Sequence, residues 1–180
     1  MATLAAAAVG TRRRAHVLVA GLGMGFTLRA TLDAFRHDAS VTVAELLPAV
    51  VRYNRGVIGH LAGHPLTDRR VRLHEGDVAD AMQARRWDAI LLDLDNGPED
   101  LTSASNARLY DDAGVARIGS RLTPGGIVVV WSAGPNRRFE KVLRRAALTC
   151  ETHGVQARGP GGKGGRHTLF VGRRSERASR

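Results

Sequence analysis

Short runs of aliphatic and β-branched residues recur along this chain, separated by longer segments whose apolar residues fall on one helical face. That alternation constrains the fold more than any other feature, because it is the pattern of a parallel sheet covered by helices. AHVLVA at 15–20 reads as a buried first strand, followed by a glycine turn and a helix over 26–35 with Leu28, Leu32 and Phe35 on one face. VTVAE at 41–45 predicts a second strand, and Pro48 opens a helix reaching about Leu61, because a proline at the first turn lacks only an N–H that would be unpaired. A third strand is expected at 71–74, a short helix at 78–84 and an apolar, central fourth strand at 88–93. After a long loop at 95–105 come a helix ending near Leu122, a tight turn at 123–126, a fifth strand at 127–131 and a basic helix at 136–148. Two last strand-like pieces, around 152–157 and 167–171, are joined by a glycine-rich loop too short for a helical crossover, so they should pair antiparallel. Five parallel strands followed by a hairpin define a Rossmann-like α/β fold, a mostly parallel sheet ending in an antiparallel hairpin.

Composition narrows the alternatives. At 180 residues the chain suits one domain, expected over 15–171, with a flexible segment at 1–14 and a basic tail at 172–180. Its single cysteine, Cys150, excludes an internal disulfide and a cysteine-based zinc site. His60 and His64 have the spacing of a helical metal pair, but Gly63 and Pro65 interrupt the helix and no third ligand accompanies them, so no metal is expected. The arginines at 12–14 follow the apolar N-terminal stretch, the reverse of a signal peptide, and no apolar run is long enough to span a bilayer. A cytoplasmic protein without a membrane partner is expected. The net charge of +10 raises nucleic acid as a partner. Basic chain ends and the solvated face of an amphipathic helix account for the same excess more simply.

Three segments carry chemistry. Gly21, Gly23 and Gly25 form a GxGxG turn between strand and helix, where glycine permits a sharp bend and close approach of a ligand to the backbone. Glu45, with Leu46 beside it, ends the second strand at about the 20-residue distance expected of a ribose-binding acid. Asp77, followed by Val78, ends the third strand, suited both to an adenine amino group and to capping the next helix. The pattern lacks the third glycine of a dinucleotide site, and the second acid and the terminal hairpin also point away from one. Asp93 ends the central strand, where open α/β sheets bind ligands, and is the candidate proton acceptor or charge-balancing group.

The ordered set GxGxG at 21–25, AEL at 44–46, GD at 76–77, WDAI at 87–90, DLDNGP at 93–98, Tyr110, LTPGG at 122–126 and VVVW at 128–131 resembles the spermidine synthase-like family, a branch of the Rossmann-like class I methyltransferase fold, whose sheet ends in such a hairpin. The resemblance runs from about Ala15 to Val171. It implies a sulfonium nucleoside cofactor, S-adenosylmethionine or its decarboxylated form, with Glu45 on the ribose, Asp77 near the adenine and Asp93 as the catalytic acid. It implies an acceptor side formed by Asp95, Asn96 and Tyr110. The departures are specific. Met24 stands where the family has a carboxylate in the glycine turn, DLDNGP replaces DSSDP, and residues 1–14 leave no room for the family's N-terminal hairpin domain. These departures favour methyl transfer to a small acceptor over aminopropyl transfer to a polyamine, with a non-catalytic or RNA-binding module as a further alternative. They also leave the site open for cover by a second copy of the chain.

Overall fold

The computed structural model describes residues 1–94, 97–99, 104–156 and 164–176. Seven strands form one sheet: β1 (His16–Ala20), β2 (Ser40–Glu45), β3 (Val71–Glu75), β4 (Trp87–Leu92), β5 (Leu122–Ser132), β6 (Glu151–Gln156) and β7 (Arg166–Arg173). They lie in the order β3-β2-β1-β4-β5-β7-β6. The first five are parallel, and β7 inserts antiparallel between β5 and β6. This is the mostly parallel sheet with a terminal hairpin that the residue pattern predicts. The strand order reverses between β1 and β4, and a crevice opens beyond the C-terminal ends of such neighbours.

Alternation along each strand sends successive side chains to opposite faces, and both faces are covered. Val17, Val19, Val41, Val43, Ala89, Leu91, Ile127 and Val129 face α1 (Ala2–Val9), α2 (Phe26–Ala34) and α3 (Pro48–Arg55). Leu18, Ile90, Leu92, Val128 and Val130 face α4 (Val78–Gln83), α5 (Ala104–Tyr110), α6 (Asp112–Arg121) and α7 (Arg137–Arg145). The basic helix α7 buries Phe139, Val142 and Leu143 and turns Arg137, Arg138, Lys141, Arg144 and Arg145 outward, as an amphipathic surface helix does.

Local structure departs from the sequence expectations at four places. Residues 2–9, expected within a flexible segment, form α1, which buries Ala2, Ala5 and Val9 against the sheet and α2. Small alanines let the helix approach closely; being nearly all apolar, the segment has no polar face to signal helical periodicity. The helix expected to reach Leu61 stops at Arg55, because Gly56 leaves helical geometry at φ −116° and ψ −109°, and a 3₁₀ turn follows at Gly59–Ala62. The expected turn at 123–126 lies inside β5 as a register irregularity opposite Trp87 and Ala89, with Gly125 at φ 69°. The helix expected before Leu122 is two helices, broken where the Asp111 carboxylate accepts from Gly114 N–H and starts α6.

Among the described residues no helix is long and apolar enough to cross a membrane. Among them, no group of three or more His, Cys, Asp or Glu is placed to hold a metal ion.

Candidate functional site

The sheet brings the glycine turn, Glu45 and Asp93 to one rim. Gly21 continues β1 by donating to Ala44 O at 2.9 Å, and Asp93 N–H donates to Ala20 O at 3.0 Å. Gly21 has φ 89°, and a Cβ there would strike the Asp93 carbonyl oxygen at 2.5 Å, so glycine is required by both conformation and space. At Gly23, with φ 49°, an added Cβ would meet nothing within 4 Å, and the backbone is open to a ligand. Gly25, in the left-handed conformation, starts α2 without a side-chain cap, leaving the first N–H groups of that helix facing the rim.

Glu45 has the same strand parity as Val41 and Val43 and is 9 % exposed. Its two oxygens accept from Leu22 N–H at 3.0 Å and Leu47 N–H at 2.9 Å, tying the glycine turn to the end of β2. An ionised carboxylate has about four lone-pair positions, so this geometry fixes the group without exhausting it. Leu46, next to it, is 56 % exposed. Asp77 caps α4 by accepting from Ala79 N–H at 2.8 Å, and its other oxygen pairs with Arg108 of α5. Val78 is buried in the core at the start of α4.

Asp93 shares strand parity with Ala89 and Leu91, so it emerges on the α1–α2 face. The Thr27 hydroxyl donates to its Oδ2 at 2.6 Å. There it joins a cavity of about 360 Å³ walled by Phe26, Thr27, Ala30, Trp131, Leu169 and the first residues of α1. Burial lowers the pKa of the Met1 α-amine in this wall, and the Asp93 charge opposes the shift. Trp131 is held from behind by His167, with ring centroids 4.9 Å apart.

Tyr110 is not brought to Asp93. It is buried in the cluster on the opposite face, packed edge-on against Phe139 with centroids 5.8 Å apart, and lines a separate cavity of about 690 Å³ between α5, α6 and α7. Asp95 and Asn96 lie outside the described residues.

Four residues not anticipated from the sequence shape the site. The Asn54 side chain, 2 % exposed on α3, donates through Nδ2 to the Gly23 carbonyl at 2.7 Å and to Val50 O at 3.0 Å. Thr27, Arg108 and Trp131 touch Asp93, Asp77 and the cavity respectively. An isolated Asn or Thr carries no periodic signal. Trp131 lies in an apolar strand run whose residue pattern does not by itself tell which side chain reaches the ligand rim.

By sequence, no family model and no curated protein matches this chain. Solved structures do. Precorrin-6y C5,15-methyltransferase from Geobacter metallireducens is 11 % identical, with a TM-score of 0.69, covering 97 % of this chain and 87 % of that one. Human methyltransferase-like protein 13 in complex with SAH is 20 % identical, with a TM-score of 0.64, over 94 % and 79 %. Spermidine synthase from Thermotoga maritima is 16 % identical, with a TM-score of 0.72, over 96 % of this chain and 58 % of that one. At these identities the likeness shows the fold. Methyltransferases and a spermidine synthase share it alike, so the spermidine synthase-like family is not singled out.

Proposed function

We propose that this chain binds S-adenosylmethionine across the ends of β1, β2 and β4 and transfers its methyl group to a small acceptor beside Asp93. The observation that carries this reading is the meeting at one rim of three segments distant in sequence: the glycine turn, Glu45 and Asp93. The residues present fit an adenosyl group. Gly23 offers backbone without an obstructing side chain, Glu45 retains lone pairs for ribose hydroxyls, and Leu46 offers an exposed apolar surface to a purine. Asp77 would receive the purine amino group by sharing its carboxylate with Arg108. When bound, S-adenosylmethionine would supply an electrophilic methyl carbon on a sulfonium.

The chain's own part is positioning. Thr27 fixes one oxygen of Asp93; among the described residues none donates to the other, which would receive the proton of an acceptor that must shed one before it attacks. Phe26, Trp131 and Leu169 line the apolar side of this space, and holding an acceptor in one orientation there would remove much of the entropic barrier to transfer. The structural likeness to several methyltransferases supports the reading. Aminopropyl transfer from decarboxylated S-adenosylmethionine is the second reading, favoured by the likeness to spermidine synthase and disfavoured by Met24 in the glycine turn.

Isothermal titration with S-adenosylmethionine, S-adenosylhomocysteine and the decarboxylated form tests the proposal. S-adenosylhomocysteine is expected to bind, and Glu45→Ala to weaken it at least about tenfold, the value of one or two lost hydrogen bonds. No binding of any adenosyl ligand would end the proposal. Amine alkylation with the decarboxylated form alone would transfer it to the second reading.

A further inference from the structure

We propose that the end of the sheet opposite the ligand rim is a phosphate-binding face for duplex nucleic acid, built from arginines at the starts of the parallel strands and at the end of β7. This surface is separate from the proposed transfer site and does not depend on it.

The strands carry these arginines to one edge. Arg13 and Arg14 precede β1, Arg69 and Arg70 precede β3, Arg85 and Arg86 precede β4, and Arg121 precedes β5. Because β7 runs the other way, its last residue, Arg173, and Arg174 after it reach the same edge, with Arg174 N–H donating to Gly126 O. The acids there are fewer, and three are already engaged: Asp38 with Arg36, Asp68 with Arg70 and Asp88 with Arg12. Glu176 is the fourth, and no acid follows it in the sequence. Arg70 apart, none of the arginines at these strand ends forms an ion pair among the described residues.

Some of them have a structural task. Arg86 and Arg174 donate through Nη1 to Ser120 O and Leu122 O at the end of α6, and Arg121 reaches Gln83 O. Bonding to carbonyls holds a guanidinium in place without neutralising it. Arg13, Arg14, Arg69 and Arg173 are exposed and make no side-chain hydrogen bond among the described residues. The solvated face of an amphipathic helix accounts for the cations of α7 but not for these, which gather at strand ends. Arg85 lies against the His16 ring at 2.9 Å. Burial holds the His16 pKa below its ordinary value, and Arg85, Arg72 and Arg14 lower it further against the pull of Asp88. The edge therefore carries an uncompensated positive field, which an anionic partner would relieve.

The make-up of the edge selects among anions. With strands about 4.8 Å apart, the steps from β3 across to β7 span about 24 Å, a length of duplex axis that carries about seven phosphates on each strand. The planar guanidinium fork matches phosphate oxygens in pairs. The exposed large hydrophobic side chains lie between Met24 and Leu61 and none is at this edge, so a lipid surface has nothing there to receive. Trp87 and Phe35, the aromatics beside it, are buried and offer unpaired bases no stacking platform. Contacts of this kind read the backbone, not the base sequence.

The test uses the full chain and labelled duplexes of about 20 base pairs, RNA and DNA of one sequence, with the single strands and phosphatidylserine vesicles as further probes. Binding is read by anisotropy between about 50 and 200 mM salt, where log affinity against log salt should fall with a slope of at least about 3. The triple variant Arg13→Gln, Arg69→Gln, Arg173→Gln is expected to weaken duplex binding at least about tenfold and to flatten the slope by about 2 to 3, one phosphate contact for each arginine. Arg52→Gln, Arg137→Gln, Lys141→Gln removes the same charge from exposed sites on α3 and α7 and should stay within about twofold. Arg173→Glu alone, expected to weaken binding at least about threefold, keeps the inference testable should the first triple variant not fold. Tighter binding of either duplex supports the inference and tells whether RNA or DNA is the source of the phosphates. No duplex binding at about 50 mM salt, equal losses in the two triple variants, preference for single strands, or binding to the vesicles alone would each overturn it.

Discussion

Asn54 shows how much of the site depends on a residue that no motif contains. Its Nδ2 group donates both to the Gly23 carbonyl and to Val50 O, so it joins α3 to the glycine turn. Replacing that amide by a carboxylate puts oxygen against two carbonyl oxygens in a buried place. Asn54→Asp should therefore cost about 1–3 kcal/mol in urea unfolding at neutral pH. It should also weaken S-adenosylhomocysteine binding, because the turn loses its support. Wild-type stability in this variant would mean that the turn holds its shape unaided. By contrast Gly21, Gly23, Gly25 and Glu45 were legible from residue type and spacing alone, since the backbone requirement of a tight turn and the reach of a strand-end acid are local facts. The Arg108–Asp77 pair was not legible, because nothing local brings residue 108 to residue 77.

Elements were legible where their periodicity had contrast. The strands β1, β2 and β4 stand out as apolar runs, and the hairpin of β6 and β7 follows from the short connection between them. Helix α1 lacked contrast: an alanine-rich segment shows no polar face, and only the sheet tells which alanines are inside. Ala5 is fully buried there. Ala5→Leu forces extra methylenes between helix and sheet and should destabilise by about 1–3 kcal/mol, read by thermal unfolding. The first residues of α1 also wall the Asp93 cavity, so ligand binding at Asp93 should change in the same variant. An unperturbed unfolding temperature would show that α1 packs loosely in solution.

Across the molecule, acid stability should report two carboxylates far from the ligand rim. The side-chain hydrogen bond from Arg70 holds Asp68 down to about 2, while Arg70 also donates to Leu32 O at the end of α2. Burial pushes the Asp88 carboxyl up, but hydrogen bonds from His16 N–H, Arg12 and Thr123 outweigh it and hold the group below its ordinary value. Both pKa values are lower folded than unfolded. Their contribution is therefore present above the unfolded carboxylate range near pH 4 and is lost as pH falls through the folded values, about 2 for Asp68. Urea midpoints measured from pH 6 downward should fall through this window. Asp68→Asn should flatten the fall, and an unchanged slope would assign acid unfolding to other groups.

The place of α1 has a practical consequence. Its opening residues border the cavity that holds Asp93. An affinity tag fused ahead of Met1 would emerge at the border of that cavity, and a long one would compete for its space with any ligand offered. Such a preparation would fail a test of the proposed acceptor side while leaving the glycine turn and Glu45 unobstructed. Purification handles for this chain therefore belong at the far end or must be cleaved before any ligand is tried.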